Sequence, residues 1–455
     1  MRSYGVVYKI IDLKARSCFY RYMKKHATLL LLLFLYFISF SVFAETDVSY
    51  TLTQCYQHAL KRSDSIAQNT ELIYQAEERI KQARGNFFPT LSVKASYLRQ
   101  EVPPPTSAIA TDITPADQTI ASVTATQNLF RGFRDLASLK QRTGEEKASE
   151  ALREQAKLQL FQDTLDAFYT VRTYECDILN YQNEIEANQQ RKQELLNLKR
   201  LARAREADIV SVDSAIASLE AALESTYGLL DASRETLAFL TGLPTEIKLN
   251  DVESYPQELL PAESWITDID KRPDIIQLQE ELVIAEKRIE FTKSGHFPVL
   301  DAGADYYFKR PGIYDDINWD VFITINVPIF SGGITQSQIR EATSAKREAA
   351  IKVSERKKQR EYDVRSLYRT LVRIRSQVSK LAKASELSNK RYDLLIKDNR
   401  AGLATNIDVL QALATAYQTK RSYDHAQLAA KQSYLKLEVI SAIRDLKKLE
   451  EGASL

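Results

Sequence analysis

The chain has 455 residues, with 62 Lys and Arg against 60 Asp and Glu. Residues 1–44 hold seven of the basic residues and one acidic residue, which leaves 55 basic against 59 acidic, a net charge of −4. That balance has no electrostatic footprint for nucleic acid and excludes the nucleic-acid-binding classes.

Leu29 to Phe43 is an apolar run preceded by Lys24 and Lys25 and closed by Val42-Phe43-Ala44. This is the order of a secretory signal peptide, and the run is too short to span a bilayer comfortably. Met23-Lys24-Lys25 would open a compact signal peptide by itself, so Met23 is a candidate start in place of Met1. An uncleaved anchor helix is the competing reading. No cysteine follows Ala44, so a lipid anchor there is not expected. Past residue 44 only Cys55 and Cys176 remain, neither a CxxC pair nor a framework of bridges. One disulfide or two unpaired packing cysteines both fit.

Thr53 to Arg62 reads as a short helix. Ser63-Asp64 then offers cap oxygens for a second helix through Ile66, Ile73, Ala76 and Ile80 to Gly85. Asn86-Phe87-Phe88-Pro89 stops it. Residues 90–100 and 117–129 alternate with the two-residue period of strands, with Leu91, Val93, Ala95 and Tyr97 on one face. Val102 to Pro115 is a polar, proline-rich loop between them. A helical hairpin follows over about 132–240. Its seam starts at Leu158, Phe161, Leu165 and Phe168 and weakens through Arg172 and Glu175. Thr241-Gly242-Leu243-Pro244 ends it with glycine then proline, and 241–262 is irregular.

The order then starts over. Arg272-Pro273-Asp274 answers Arg62-Ser63-Asp64, and His296-Phe297-Pro298 answers Phe87-Phe88-Pro89. A helix over 273–294 and strands over 299–309 and 319–329 lead to a second hairpin over 333–449. There Leu367, Leu371, Ile374, Val378, Leu381, Ser385, Ser388, Tyr392 and Leu395 step by alternating fours and threes, the seam of a coiled coil. About seventy residues at 1.5 Å each make a helix of about 105 Å before it turns at Asn399-Arg400-Ala401-Gly402. The expected division is a signal peptide over 1–44, a first repeat over 45–262 and a second over 263–455, an internal tandem duplication. The tips of the two repeats align at an offset of about 197, which sets Ser211 opposite Asp408.

Strands of ten or eleven residues suit tilted transmembrane β-strands, and Tyr97, Tyr306, Phe308 and Trp319 sit near their ends. Soluble hairpins capping a coiled coil would read the same way. In lipid, four strands leave open edges and must close with other chains. Two chains give eight strands and a filled barrel; three give twelve and a lumen. The expected fold class is mainly α with a small β part: long coiled-coil hairpins plus, where the strands enter lipid, four transmembrane strands per protomer.

The order of elements, the duplication, Arg272-Pro273-Asp274, Pro328-Ile329-Phe330-Ser331-Gly332-Gly333 and the run Ala401-Gly402-Leu403-Ala404-Thr405-Asn406-Ile407-Asp408-Val409-Leu410 resemble the TolC family of outer-membrane efflux proteins. The resemblance covers about residues 48–445. It implies a homotrimer, a trimeric twelve-stranded β-barrel on an α-barrel, in the outer membrane of a Gram-negative bacterium with a large periplasmic part, docking on an adaptor protein and an inner-membrane transporter. The function it implies is a passive exit duct for efflux or type I secretion, with outer-membrane lipid as surroundings and no cofactor. It places a constriction at Asp408, with Gln411 where a second acid often stands, and Ala404 where a latch arginine can occur. It makes both tips adaptor-docking surfaces: Arg205, Glu206 and Asp208 in the first, Gly402, Leu403 and Thr405 in the second. The competing site readings are a helix-start aspartate satisfying the dipole and charged, solvated turns.

His58, His296 and His425 lie on different elements with no metal-ligand spacing and no nucleophile elbow, and Ser331-Gly332-Gly333 lacks the Lys-Ser/Thr of a phosphate loop. No enzyme chemistry is expected. The rival class is a periplasmic coiled-coil adaptor, which carries one hairpin between split β domains rather than two in tandem.

Overall fold

The structure is a computed structural model that describes residues 49–101 and 116–443. The expected signal peptide, the Pro103–Pro115 loop and residues 444–449 of the last hairpin lie outside the described residues. From Thr51 onward the chain makes one compact unit.

Helix α1 (Leu52–Arg62) opens on a reciprocal cap. The Thr51 hydroxyl accepts from Gln54 N at 3.3 Å, and the Gln54 side chain accepts from Thr51 N at 2.9 Å. Ser63 caps α2 (Asp64–Gly85) through Ile66 N. The apolar stripe of α1 buries Leu52, Cys55, Tyr56 and Ala59, with the Tyr56 ring edge-on to Phe161 at 5.1 Å. Both cysteines are free thiols, so the disulfide alternative falls. Burial pushes the Cys55 thiol up to about 12, which leaves it an inert packing group.

Strands β1 (Thr90–Arg99), β2 (Asp117–Arg131), β3 (Val299–Lys309) and β4 (Trp319–Asn326) form one antiparallel sheet in the order β1-β2-β3-β4. The middle pairing, β2 with β3, joins the two halves of the chain, with Arg131 opposite Val299. β2 runs two residues past the expected 129 to make that pairing. β4 stops at Asn326, short of the expected 329, because Pro328 has no N–H for a ladder.

From the sheet the chain enters α3 (Arg134–Arg200) and, in the second half, α6 (Ile334–Arg400), each of 67 residues. They return as α4 (Glu206–Thr241) and α7 (Asn406–Ile440). The residue before each long helix is left-handed, Phe133 at φ 65° and Gly333 at φ 81°. The seam read along α6 is the buried or half-buried face of that helix, with exposed residues on either side of it. α5 (Pro273–Lys293) packs against both α3 and α6, close enough that a Cβ on Gly144 would come within 2.7 Å of Ile284 Cγ1. α2 lies on α3, and α3 in turn packs on α7.

α7 ends at Ile440 rather than continuing to 449, and Arg272 sits at its end. The guanidinium donates to Val439 O at 3.2 Å and Ile440 O at 2.5 Å, satisfying two terminal carbonyls. It also pairs with Asp274 at 2.9 Å, whose other oxygen takes Arg360 of α6 at 2.7 Å. Arg272-Pro273-Asp274 thus ties α5, α6 and α7 together. Burial works against the Asp274 charge, but the Arg272 charge and the Arg360 hydrogen bond outweigh it and hold the carboxyl below the usual range.

Asp274→Asn should therefore lower stability in urea unfolding at neutral pH by about 3 kcal/mol, because Arg272 keeps a buried, unmatched charge. A carboxyl with a lowered native pKa stabilises above its unfolded value and ceases to as pH falls through the native one. The wild-type and variant curves should converge in acid.

Candidate functional site

The sheet has two chemically distinct faces. Leu91, Val93, Ala95 and Tyr97 stand opposite Ala125, Val123, Ala121 and Thr119. Val123 and Ala125 continue to Tyr306 and Ala304, and these to Trp319 and Val321, with Ala302 opposite Ile323. Apart from Thr119 and Gln127 this face is apolar, and Val93, Trp319, Val321, Ile323 and Ile325 are exposed on it. The other face carries Ser92, Lys94 and Ser96 against Thr124, Ser122 and Ile120, then Asp305, Gly303 and Asp320. Thr124 Oγ1 donates to Asp305 Oδ1 at 2.5 Å. Phe322 covers Gly303, where a Cβ would lie 2.2 Å from the ring, so the missing side chain makes room for an aromatic neighbour.

Aromatic residues stand at both ends of the apolar face. Tyr97, Tyr306, Phe308 and Trp319 mark one end; Phe87, Phe88, Phe130, Phe133 and Phe330 mark the end nearest the helices. Phe133 stacks edge-on to Phe130 at 5.4 Å and to Phe297 at 6.5 Å. The second belt was visible in the sequence only as the motifs that end the strands. Ten residues of β1 cover about 33 Å, and tilted by about 40° they match the ~25 Å apolar band of an outer-membrane barrel.

The far ends of the helices are the other candidate region, and a polar ladder between α3 and α7 leads to it. Asp166 accepts from Gln432 and pairs with Lys436, both at 2.7 Å. Asp177 meets His425 Nε2 at 2.8 Å, and Asn180 donates to Asp424 at 2.9 Å. The Tyr417 hydroxyl donates to Asn183 O at 3.0 Å. Glu184 pairs with Arg421 at 2.6 Å, and that guanidinium stacks on Tyr181 at 4.5 Å. Thus the α3 seam that weakens in apolar content after Phe168 continues as a buried seam of paired polar groups. Burial raises the Glu184 carboxyl despite Arg421. The Asp177 hydrogen bond raises His425, with Asp424 adding to it while burial and Arg421 oppose.

At the tips the ladder becomes a clasp. Arg191, 4% exposed, donates from Nε to Asn406 Oδ1 at 3.0 Å and from Nη2 to Asn399 Oδ1 at 2.5 Å. Glu194 bridges Arg191 at 3.0 Å and Arg400 at 2.8 Å. Burial opposes its charge, and the hydrogen bonds from Arg400 and Arg191 prevail and lower its pKa. Asn399 Nδ2 donates to Ala404 O, and Asn406 Nδ2 to Asp208 O, so both turns are included. Beneath lie Leu195, Ile209 and Val212 with Leu410. The sequence reading missed Arg191, Glu194, Asn399 and Asn406; their one signal was polar residues at positions where the helical seam continues.

Each expected site residue can now be placed. Thr405 N-caps α7, and Asp408 completes a capping box, accepting from Thr405 N at 2.9 Å and from its hydroxyl at 2.5 Å. Those side-chain and backbone bonds hold the Asp408 carboxyl below the usual range. In the first hairpin Asp208 accepts from Arg205 N at 3.2 Å and from its guanidinium. Asp208, not Ser211, is therefore the counterpart of Asp408. Arg134–Arg200 and Ile334–Arg400 differ by a constant 200 residues, and left-handed Ala202 (φ 55°) stands where Gly402 (φ 79°) does. Glu206 pairs with Lys199. Arg205, Glu206, Gly402, Leu403, Thr405 and Gln411 are exposed, Leu403 by 81%. Among the described residues no cluster of His, Cys, Asp and Glu could hold a metal, and no helix is long and apolar enough to cross a membrane.

A two-faced antiparallel sheet with aromatic ends, carried on long helical hairpins, defines a class: β-strand proteins of the outer membrane with a large periplasmic part. Residues 55–242 and 269–442 match the model of the outer membrane efflux protein family, and the chain belongs to that family. It is 23% identical over 412 residues to outer membrane protein TolC of Escherichia coli, covering 86% of this chain and 82% of that one. In fold it is similar to the outer membrane protein VceC of Vibrio cholerae (TM-score 0.74, 17% identity, 88% of this chain and 96% of that one). The open state of the Neisseria gonorrhoeae MtrE outer membrane channel is likewise similar (TM-score 0.70, 19% identity, 86% and 88%). The protein is thus an outer membrane efflux protein, and the solved structures that share its fold include outer membrane channels.

A raised histidine stabilises fully below its ordinary value of about 6.5 and ceases to as pH rises through its native value. Raising pH from about 6 to about 8.5 should loosen the α3–α7 seam, read as lower amide protection along α7 once the base-catalysed intrinsic exchange rate is divided out. In His425→Gln that pH dependence should vanish; its persistence would assign the effect to another group.

Proposed function

We propose that three copies of this chain close one twelve-stranded barrel and one helical tube, forming the exit duct of a tripartite efflux or type I secretion system. The observation that carries this is the four-stranded sheet with an apolar face, a polar face and unpaired outer edges on β1 and β4. Open edges in hydrocarbon leave backbone groups unsatisfied at several kcal/mol each, so the sheet must close on other copies. Eight strands would be filled by side chains; twelve leave a polar-lined lumen. The equal lengths of α3 and α6, and the two segments matched by the family model, support the tandem duplication behind this arrangement.

In this reading the duct is passive and energy comes from an inner-membrane transporter through a periplasmic adaptor. The hairpin tips are the docking surface. Arg205, Glu206, Asp208, Gly402, Leu403 and Thr405 form it, together with the exposed apolar Leu201, Val210 and Ile407 beside them. Asp408, with Gln411 one turn on, forms the periplasmic constriction, three carboxylates facing one another across the threefold axis. The clasp of Arg191, Glu194, Asn399, Arg400 and Asn406 takes the place of a latch arginine at Ala404, holding the two tips of each chain together while the duct is closed.

The detergent-corrected mass of protein from the outer-membrane fraction should be that of three chains; a monomer or dimer would overturn the closed barrel. In planar bilayers the wild-type pore should prefer cations and keep that preference from about pH 7 to about pH 5, since Asp408 stays ionised below the usual carboxylate range. Asp408→Asn should abolish the preference, and an unchanged reversal potential removes Asp408 from the constriction. Arg191→Ala with Arg400→Ala should raise closed-state conductance severalfold, and unaltered conductance would sink the clasp.

A further inference from the structure

A cavity of about 390 Å³ lies where α3, the end of α5 and the start of α6 meet, lined by Arg134, Arg288, Phe291, Ser294, Gly295 and Glu341 among others. Its position is set by sequence neighbours. Arg134 directly follows Phe133, Gly295 precedes Phe297 by two residues, and Glu341 lies in the opening turns of α6, after Phe330. The cavity therefore sits on the helix side of the aromatic belt, at the level where lipid headgroups lie if the sheet spans the membrane. The inference rests on that reading.

Two guanidiniums reach it from different helices and share one platform, Arg134 at 4.5 Å and Arg288 at 5.0 Å from the Phe291 ring centre. Stacking fixes their planes but uses none of their N–H donors. Nearby arginines are engaged differently: Arg131 pairs with Asp135, and Arg340 donates to the Ser337 hydroxyl. Among the described residues Arg134 and Arg288 have no hydrogen-bond or ion-pair partner. The first amides of α3 and α6 also lack side-chain caps, since Phe133 and Gly333 make none, and uncapped N-termini favour an anion nearby. The third charge in the lining is the Glu341 carboxylate, likewise without a cation among the described residues. Two fixed forks of donors and one carboxylate match a group that carries both a phosphodiester and an ammonium.

We infer that this cavity binds the headgroup of a zwitterionic phospholipid, with Arg134 and Arg288 on the phosphodiester and Glu341 on the ammonium of an ethanolamine. Arginine suits the diester because its planar fork bonds two oxygens at once, which a lysine cannot do. A bound headgroup would anchor the membrane-side ends of α3, α5 and α6 to the bilayer surface. Glu341 makes the site selective, because a headgroup with no ammonium would leave it unpaired beside the phosphate.

Native mass spectrometry of the detergent-extracted protein, titrated with phosphatidylethanolamine or phosphatidylglycerol, tests this. The wild type should retain phosphatidylethanolamine in preference, and the variant Arg134→Gln, Arg288→Gln should bind it at least about tenfold more weakly. Glu341→Gln should keep binding but lose the preference for ethanolamine over glycerol. Arg288→Gln alone, at an exposed position, serves if the double variant does not assemble. Equal phosphatidylethanolamine retention by wild type and the arginine variants, with subunit mass unchanged, overturns the site. Complete displacement of the lipid by inorganic phosphate at millimolar concentration would make it a free-anion site and overturn the lipid assignment. A wild-type chain that fractionates outside the membrane would instead defeat the membrane reading itself, which keeps the two failures apart.

Discussion

The two halves of the chain are held together at two joints, and the polar seam between α3 and α7 is the one on which the tips depend. Glu184 and Arg191 are almost fully buried there, and removing such charges from water costs several kcal/mol each unless partners take its place. Arg421 and the pair Asn399 and Asn406 are those partners. A seam of this kind adds little net stability compared with an apolar one, but it tolerates no slip. Sliding α7 by one turn would leave each charge facing the wrong group. The ladder from Asp166 to Arg191 therefore sets the register of α7 on α3 over most of the length of α7.

The second joint is the pairing of β2 with β3, in which segments about 180 residues apart exchange backbone hydrogen bonds. It places the start of α3, which leaves β2, beside the end of α5, which feeds β3, and α5 packs against both α3 and α6. Gly144 under Ile284, and Phe133 against Phe130 and Phe297, show how tightly that junction is drawn. Arg272 and Asp274 then bring the end of α7 back to α5 and α6. Each half thus touches the other near the sheet, at mid-height and at the tips.

The tips combine two kinds of holding. Asp408 and Asp208 serve their own helices, since each completes a cap from the third helical position. Arg191, Glu194 and Arg400 join helices that are distant in sequence. A carboxylate in a capping box keeps its charge and still exposes part of its surface, so the cap does not conflict with a role at a constriction. It explains instead why the charge stays in one place and ionised.

Much of the fold was legible in the sequence because its signals are local. The two-residue period marked β1 to β4, the alternating threes and fours marked α6, and Thr241-Gly242-Leu243-Pro244 marked the end of α4 to within a residue. The belt at Tyr97, Tyr306 and Trp319 was readable for the same reason. Errors came where a partner lies far along the chain. Tip matching at an offset of about 197 chose Ser211, whereas the helix ends and the capping bonds keep an offset of 200 and chose Asp208, because sequence drift does not show where a helix starts. His425 looked isolated because Asp177 is some 250 positions away. Sequence periodicity by itself determined which segments are helix or strand and which face of each is apolar. Only the tertiary structure decided which polar side chains are buried and what they bond, because a partner for a buried charge is supplied by whichever helix packs against it.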